Sequence, residues 1–118
     1  MELTKAEEQI MRVIWKQEKL FIRDIVEALP EPKPAYNTVG TFLKILENKG
    51  FVERTKLGNT YSYSAKIPKS QYTGFVFKDF VSKHFEGSVE HMLSYFVKNK
   101  DLDLKTFEEF TKKLKEDE

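Results

Sequence analysis

Pro30, Pro32 and Pro34 stand at alternate positions between two stretches of helical periodicity. A proline ring fixes φ and removes a backbone donor, so any helix before this segment ends by Leu29 and no helix runs through it. The first 50 residues are therefore cut into short helices. Thr4 and Glu7 have the spacing of a capping box, which starts the first helix near Thr4. Leu3, Ala6, Ile10, Val13 and Ile14 then recur at roughly helical intervals until about Gln17, in the polar stretch Lys16 to Lys19. Ile22, Ile25, Val26 and Leu29 share a face of a second helix, with Asp24 and Glu27 opposite. A third helix is predicted from Ala35 or Tyr36 to Lys49, closed by Gly50, whose lack of a Cβ suits a left-handed residue after a helix.

Beyond Gly50 the composition changes from helix-forming to β-branched and aromatic. Phe51 to Thr55 and Thr60 to Ser64 have strand character and are separated by Lys56, Leu57, Gly58 and Asn59, which predicts a hairpin. Three short helices and a hairpin are the order of a winged helix-turn-helix unit, in which one helix enters the major groove and the hairpin flanks it. From Pro68 the pattern is helical again. Tyr72, Phe75, Val76 and Phe80 suit one face, Val89, Met92, Leu93, Phe96 and Val97 a second helix, and Leu104, Phe107, Phe110 and Leu114 a third. Gly87 and Ser88 separate the first two, and Asp101 to Asp103 suit the start of the last. The expected fold is mainly α: a winged helix-turn-helix DNA-binding domain over residues 1–70, then a small helical dimerisation domain over 71–118.

A chain of 118 residues has room for one ordinary domain or two very small units, which excludes a large multidomain enzyme. It has no cysteine, and its two histidines, His84 and His91, fall on different predicted helices, so no metal site or cofactor is expected. There is no glycine-rich phosphate loop or nucleophile elbow, and an enzyme is not expected. The apolar runs are far shorter than the roughly 18 to 20 residues that span a bilayer, and the charged amino terminus is unlike a signal peptide. A cytoplasmic protein without membrane insertion is expected.

The net charge of +1 hides an asymmetry: residues 1–70 carry +3, residues 71–118 carry −2. Between Lys33 and Lys69 lie seven cations (Lys33, Lys44, Lys49, Arg54, Lys56, Lys66, Lys69) and only two anions, Glu47 and Glu53. From charge alone such a stripe is either a solvated surface or the electrostatic footprint of a nucleic-acid partner. The third helix completes that reading. At about 100° per residue Val39, Phe42, Leu43 and Leu46 converge on one side, and Asn37, Thr41, Lys44 and Asn48 lie opposite, with Thr38 at the shoulder. Short amides and hydroxyls can meet base edges, and a cation can meet phosphate; Asn37, Thr38 and Thr41, near the amino end, are the expected base readers. The hairpin adds Arg54, Lys56 and Asn59 for backbone contacts, while Tyr61, Tyr63 and Trp15 are expected in the core.

Residues 71–118 hold seven of the ten phenylalanines together with Tyr72 and Tyr95. A 60-residue chain buries only ~60% of its unfolded surface, so a shorter helical segment cannot cover nine aromatics unaided. A second copy is the simplest cover and would present two reading helices to a palindromic site. Phe75, Phe80, Met92, Leu93, Phe96, Phe107, Phe110 and Leu114 are the expected dimerisation residues. Packing of these helices back on the winged unit in a monomer is the competing arrangement. A winged-helix protein-interaction adaptor without specific DNA binding is the competing function, and a salt-sensitive gel shift on upstream DNA separates it from a repressor.

The runs LTKAEEQIMRVIW and YNTVGTFLKILENKGFVERTKLGNTYSYSA, with the short helical tail, resemble the penicillinase-repressor (BlaI/MecI-type) family of bacterial transcription factors. The resemblance covers the whole chain and implies a homodimeric repressor on an operator with two-fold symmetry. It also implies operator contacts by Thr38 and Thr41. Many members carry a long basic residue where this chain has Gly40, so the resemblance implies one phosphate or base contact fewer and an operator that differs from theirs. The copper-responsive branch has tail cysteines that are absent here, so copper sensing is not expected. The family further implies release by a membrane-bound sensor metalloprotease that cuts the tail. The matching bond is Tyr95–Phe96, where Asn-Phe is more usual.

Overall fold

The computed structural model describes residues 1–99, 103–105, 108–109 and 112. Its elements are α1 (Lys5–Lys16), α2 (Ile22–Ala28), α3 (Tyr36–Asn48), β1 (Val52–Leu57), β2 (Thr60–Ala65), α4 (Lys69–Phe85) and α5 (Val89–Lys98). They fall into two compact units, Met1–Thr73 and Gly74–Glu118. Among the described residues no helix is long and apolar enough to cross a membrane.

The first unit is a helical triplet closed by a hairpin. Its core joins Ile10, Met11 and Ile14 of α1, Ile25 of α2 and Val39, Leu43 and Leu46 of α3 to Phe51, Val52 and Tyr63. The capping box at α1 is complete: Glu7 N–H donates to Thr4 Oγ1 at 3.2 Å, and Thr4 N–H to Glu7 Oε1 at 2.8 Å. At the far end of α3, Gly50 adopts φ +84°, which lets its N–H reach Glu47 O (3.0 Å) and Phe51 N–H reach Leu46 O (2.9 Å). These two bonds satisfy carbonyls that the helix end would otherwise orphan.

The strands pair antiparallel from Val52↔Ala65 to Leu57↔Thr60, so β1 starts one residue later and ends two residues later than expected. The predicted four-residue connection shrinks to Gly58 and Asn59, with Gly58 at φ +64°. Positive φ at the first of two loop residues matches the twist of the strands it joins, and cross-strand pairing of Lys56 with Tyr61 outweighs the turn-like composition. Leu20 adds a rung beyond β2, exchanging backbone bonds with Tyr63 at 2.7 and 3.0 Å.

Tyr72 departs from its expected place on the tail's apolar face. It is buried in the first unit, 5.5 Å from the Trp15 ring and 5.8 Å from Phe51, and its hydroxyl donates to Glu8 Oε2 at 2.8 Å. Burial and the Glu8 bond push its phenol up to about 12. Trp15 is pinned as well, its Nε1–H donating to Ile67 O at 2.9 Å. The start of α4 thus belongs to the winged unit.

In the second unit Val81 and Phe85 of α4 close over Met92, with Leu93 and Phe96 packed alongside. The face expected to be apolar, Phe75, Val76 and Phe80, is instead half-buried or exposed, because Val81 and Phe85 turn toward α5. Of the expected last helix, residues 104, 105, 108, 109 and 112 are helical and exposed; Phe107, Phe110 and Leu114 lie outside the described residues.

Glu7 carries the first prediction. Only 2% exposed, it accepts Lys49 Nζ at 2.8 Å and so ties the start of α1 to the end of α3. Burial alone would raise its carboxyl; the Lys49 ammonium and the Thr4 donors outweigh this and hold it below the ordinary value. A carboxyl depressed on folding stabilises the fold at neutral pH, and that contribution is lost as pH falls from the ordinary carboxylate range through the folded value. Melting curves of the native protein and Glu7→Gln should therefore differ most at neutral pH and converge on acidification. A constant gap would contradict this account.

Candidate nucleic-acid interface

α3 is held by three fully buried residues, Val39, Leu43 and Leu46, with Phe42 half-buried beside them. That seating fixes which side faces out: Asn37, Thr38, Thr41, Lys44 and Asn48 are all exposed. The hydroxyl of Thr41 donates to Asn37 O at 3.0 Å. Its lone pairs and methyl group stay available, so Thr41 as placed suits a base amino group or a thymine methyl. Two neighbours were absent from the expected set. Tyr36 (55% exposed) opens the helix, and Ile45 (38% exposed) lies beside Thr41 and Thr38 on the helical wheel. The same wheel reaches Ile45, whose apolar side chain sets it apart from the polar groups that mark this face.

Gly40 lies on the flank of α3 next to α2. A Cβ there would sit 3.8 Å from Ile22 Cδ1, an ordinary contact, so packing does not demand glycine. No side chain reaches outward from this position.

The basic stripe divides into engaged and free cations. Lys33 Nζ donates to Glu27 O (2.6 Å) and Leu29 O (3.0 Å), closing α2, and Lys49 is committed to Glu7 and to Glu2 O (3.2 Å). Both are structural by placement. Arg54 Nε lies 3.2 Å from Glu47 Oε2, and its guanidinium stacks 4.4 Å above the Tyr61 ring. Lys44, Lys56, Lys66 and Lys69 are exposed, and among the described residues none of them has an ion-pair partner.

On the hairpin, Arg54 and Lys56 share a face with their cross-strand neighbours Tyr63 and Tyr61. Tyr63 is buried and Tyr61 packs partly against the core. Burial pushes the Tyr63 phenol up, and the adjacent Arg54 opposes that shift. Asn59 is exposed at the tip beside Leu57, itself 49% exposed.

In the second unit, Phe75 is half-buried and Phe80 is 39% exposed, joined by exposed Val76, Phe77 and Tyr95. Met92 is already covered within one chain, and Leu93 and Phe96 are half-covered. The Tyr95–Phe96 bond lies inside α5. Tyr95 O accepts both the backbone N–H (3.1 Å) and the side-chain amide (2.8 Å) of Asn99, so the last turn is closed over that bond.

Comparison with known proteins gives one consistent result. The family described as penicillinase repressor matches residues 3–116. The methicillin resistance regulatory protein MecI of Staphylococcus aureus strain N315 is 27% identical over 109 residues, covering 92% of this chain and 89% of MecI. The solution structure of the DNA-binding domain of the repressor BlaI has a TM-score of 0.53 at 28% identity, covering 60% of this chain and 88% of that domain. The monomeric form of Bacillus licheniformis BlaI, solved in complex with the blaP half-operator, has a TM-score of 0.51 at 27% identity, with 61% and 89% covered.

Proposed function

The chain belongs to the penicillinase repressor family, and from that premise we propose that it binds operator DNA as a homodimer and represses transcription. The observation that carries this reading is the outward face of α3. Asn37, Thr38 and Thr41 stand exposed on a helix whose opposite side is locked into the core, while the similar BlaI was solved on its half-operator. In the proposed complex of this chain with its operator, α3 enters the major groove, Lys44 and Asn48 meet phosphates along it, and Lys56 and Asn59 reach the backbone from the hairpin. The family is one of repressors, and the reading requires no reaction, cofactor or metal.

Dimerisation is assigned to residues 74–118. The described part of this unit buries only Val81, Phe85 and Met92, and leaves Val76, Phe77, Phe80 and Tyr95 facing water. A second copy covering that stripe, with Phe75 and Phe96 at its edges, removes the exposed apolar area and sets two α3 helices against two half-sites. Regulation follows from the same architecture: a membrane-bound sensor metalloprotease that cuts Tyr95–Phe96 would split the dimerisation unit. A protease takes its substrate extended, so the turn that Asn99 closes over Tyr95 O has to open first.

The test separates base reading from backbone attraction. Thr41→Ala should lose about 1–3 kcal/mol on the operator and little on random duplex. Lys44→Ala or Lys56→Ala should weaken both alike and flatten the dependence of log K on log salt by about 0.9. Equal losses on both DNAs for Thr41→Ala would remove it from the base-reading set.

A further inference from the structure

The Arg54 guanidinium is engaged on several sides before any DNA arrives. Glu47 Oε2 lies 3.2 Å from its Nε, the Tyr61 ring covers one face at 4.4 Å, and Tyr63 stands opposite it in the strand register. Both members of the pair remain open to water, with side-chain exposures of 46% for Arg54 and 32% for Glu47. Ion pairs this exposed add little to folding stability. Their effect on a charged partner is larger, because the carboxylate at the end of the reading helix offsets a hairpin cation. We infer that Glu47 competes with DNA phosphate for Arg54 and so lowers the sequence-independent part of DNA affinity.

The inference rests on the DNA-binding reading above and follows from charge and geometry. A phosphate that takes Arg54 has to displace the Glu47 carboxylate or approach beside it, and like charges at that distance repel. Among the described residues no carboxylate pairs with Lys44 or Lys56, which supply the backbone attraction. The outward residues of α3 are untouched, so base reading stays intact while attraction to the vast excess of non-operator DNA is held down.

The experiment uses the full chain and a random-sequence duplex, with affinity measured across a range of salt. Neutralising Glu47 releases one cation, so Glu47→Gln should bind about fivefold tighter at about 0.1 M salt, with a log K against log salt slope steeper by about 0.9. Arg54→Ala alone should weaken binding without steepening the slope, since it leaves the Glu47 carboxylate uncompensated. In the Arg54→Ala background Glu47→Gln should no longer steepen the slope, since there is no cation to release. Glu53→Gln removes an exposed carboxylate from the opposite face of β1 and should leave the slope nearly unchanged. An unchanged or weaker Glu47→Gln, or equal steepening with Arg54 absent, would overturn the inference while wild-type binding keeps the DNA reading intact. A wild-type protein that fails to retain the duplex at low salt would overturn both.

Discussion

Severing the chain between Tyr95 and Phe96 is expected to lower operator affinity by about 10²- to 10⁴-fold, the factor by which linking two modules raises avidity. The cut removes Phe96 from its packing on Phe85, at a ring separation of 6.1 Å, and from Tyr95, at 5.5 Å. It also removes Asn99, whose two bonds to Tyr95 O close the last turn of α5. What is left of α5 keeps Met92 and Leu93 but loses the end of the apolar face on which they continue. At ~25 cal/mol per Å², a dimer built on a stripe this small cannot spare that area. Each winged unit then has to hold its half-site alone. The measurement is operator affinity and sedimentation before and after cleavage of a protease recognition sequence inserted between Tyr95 and Phe96. Intact dimer and unchanged affinity after complete cleavage would rule out release by this route.

The second large effect is expected at Phe51, where three parts of the winged unit meet. Its N–H caps the end of α3 through Leu46 O, and its carbonyl accepts from Lys66 N–H at 2.8 Å. Its ring, 1% exposed, meets Tyr72 edge-on at 5.8 Å. Phe51→Ala should cost about 3–5 kcal/mol, the range for truncating a buried phenylalanine. Small domains have only about 5–15 kcal/mol in total, so a large part of the folded population margin goes with it. Denaturant unfolding followed by Trp15 fluorescence should show the midpoint fall, and Phe51→Leu should recover most of the loss. A cost below about 1 kcal/mol for Phe51→Ala would mean that the ring does not join these elements.

Phe51 also illustrates how far the sequence alone could lead. Its β-type composition placed it in a strand, but its N–H caps α3 on Leu46 O while only its carbonyl turns to the hairpin side, through Lys66 N–H, and local propensity does not carry that distinction. The order of helices was legible because Pro30, Pro32 and Pro34 and then Gly50 punctuate strong apolar periodicity. The outward face of α3 was legible because one rotation angle relates all its residues. Tertiary pairing was not. Nothing local indicates that Lys49 serves Glu7, 42 positions away, and Lys33 turns back only four residues to close α2 on Leu29 O, so a stripe of seven cations overstates the number available to phosphate. Tyr72 is the same case in reverse: its spacing suits the tail helix, yet Trp15, Phe51 and Glu8 draw it into the first unit. In α4 the aromatic density made Phe75 and Phe80 conspicuous and concealed that Val81 and Phe85 face α5.

The central claim is that paired α3 helices read a symmetric site in duplex DNA, and selection of bound duplexes from a random pool by the full-length protein tests it most directly. The account predicts enrichment of an inverted repeat whose half-sites are separated by about one helical turn, 10–10.5 base pairs, or a multiple of it. Thr41→Ala should relax the enriched bases without changing that spacing. Recovery of no common sequence, or of a single asymmetric site at one protein per duplex, would contradict it.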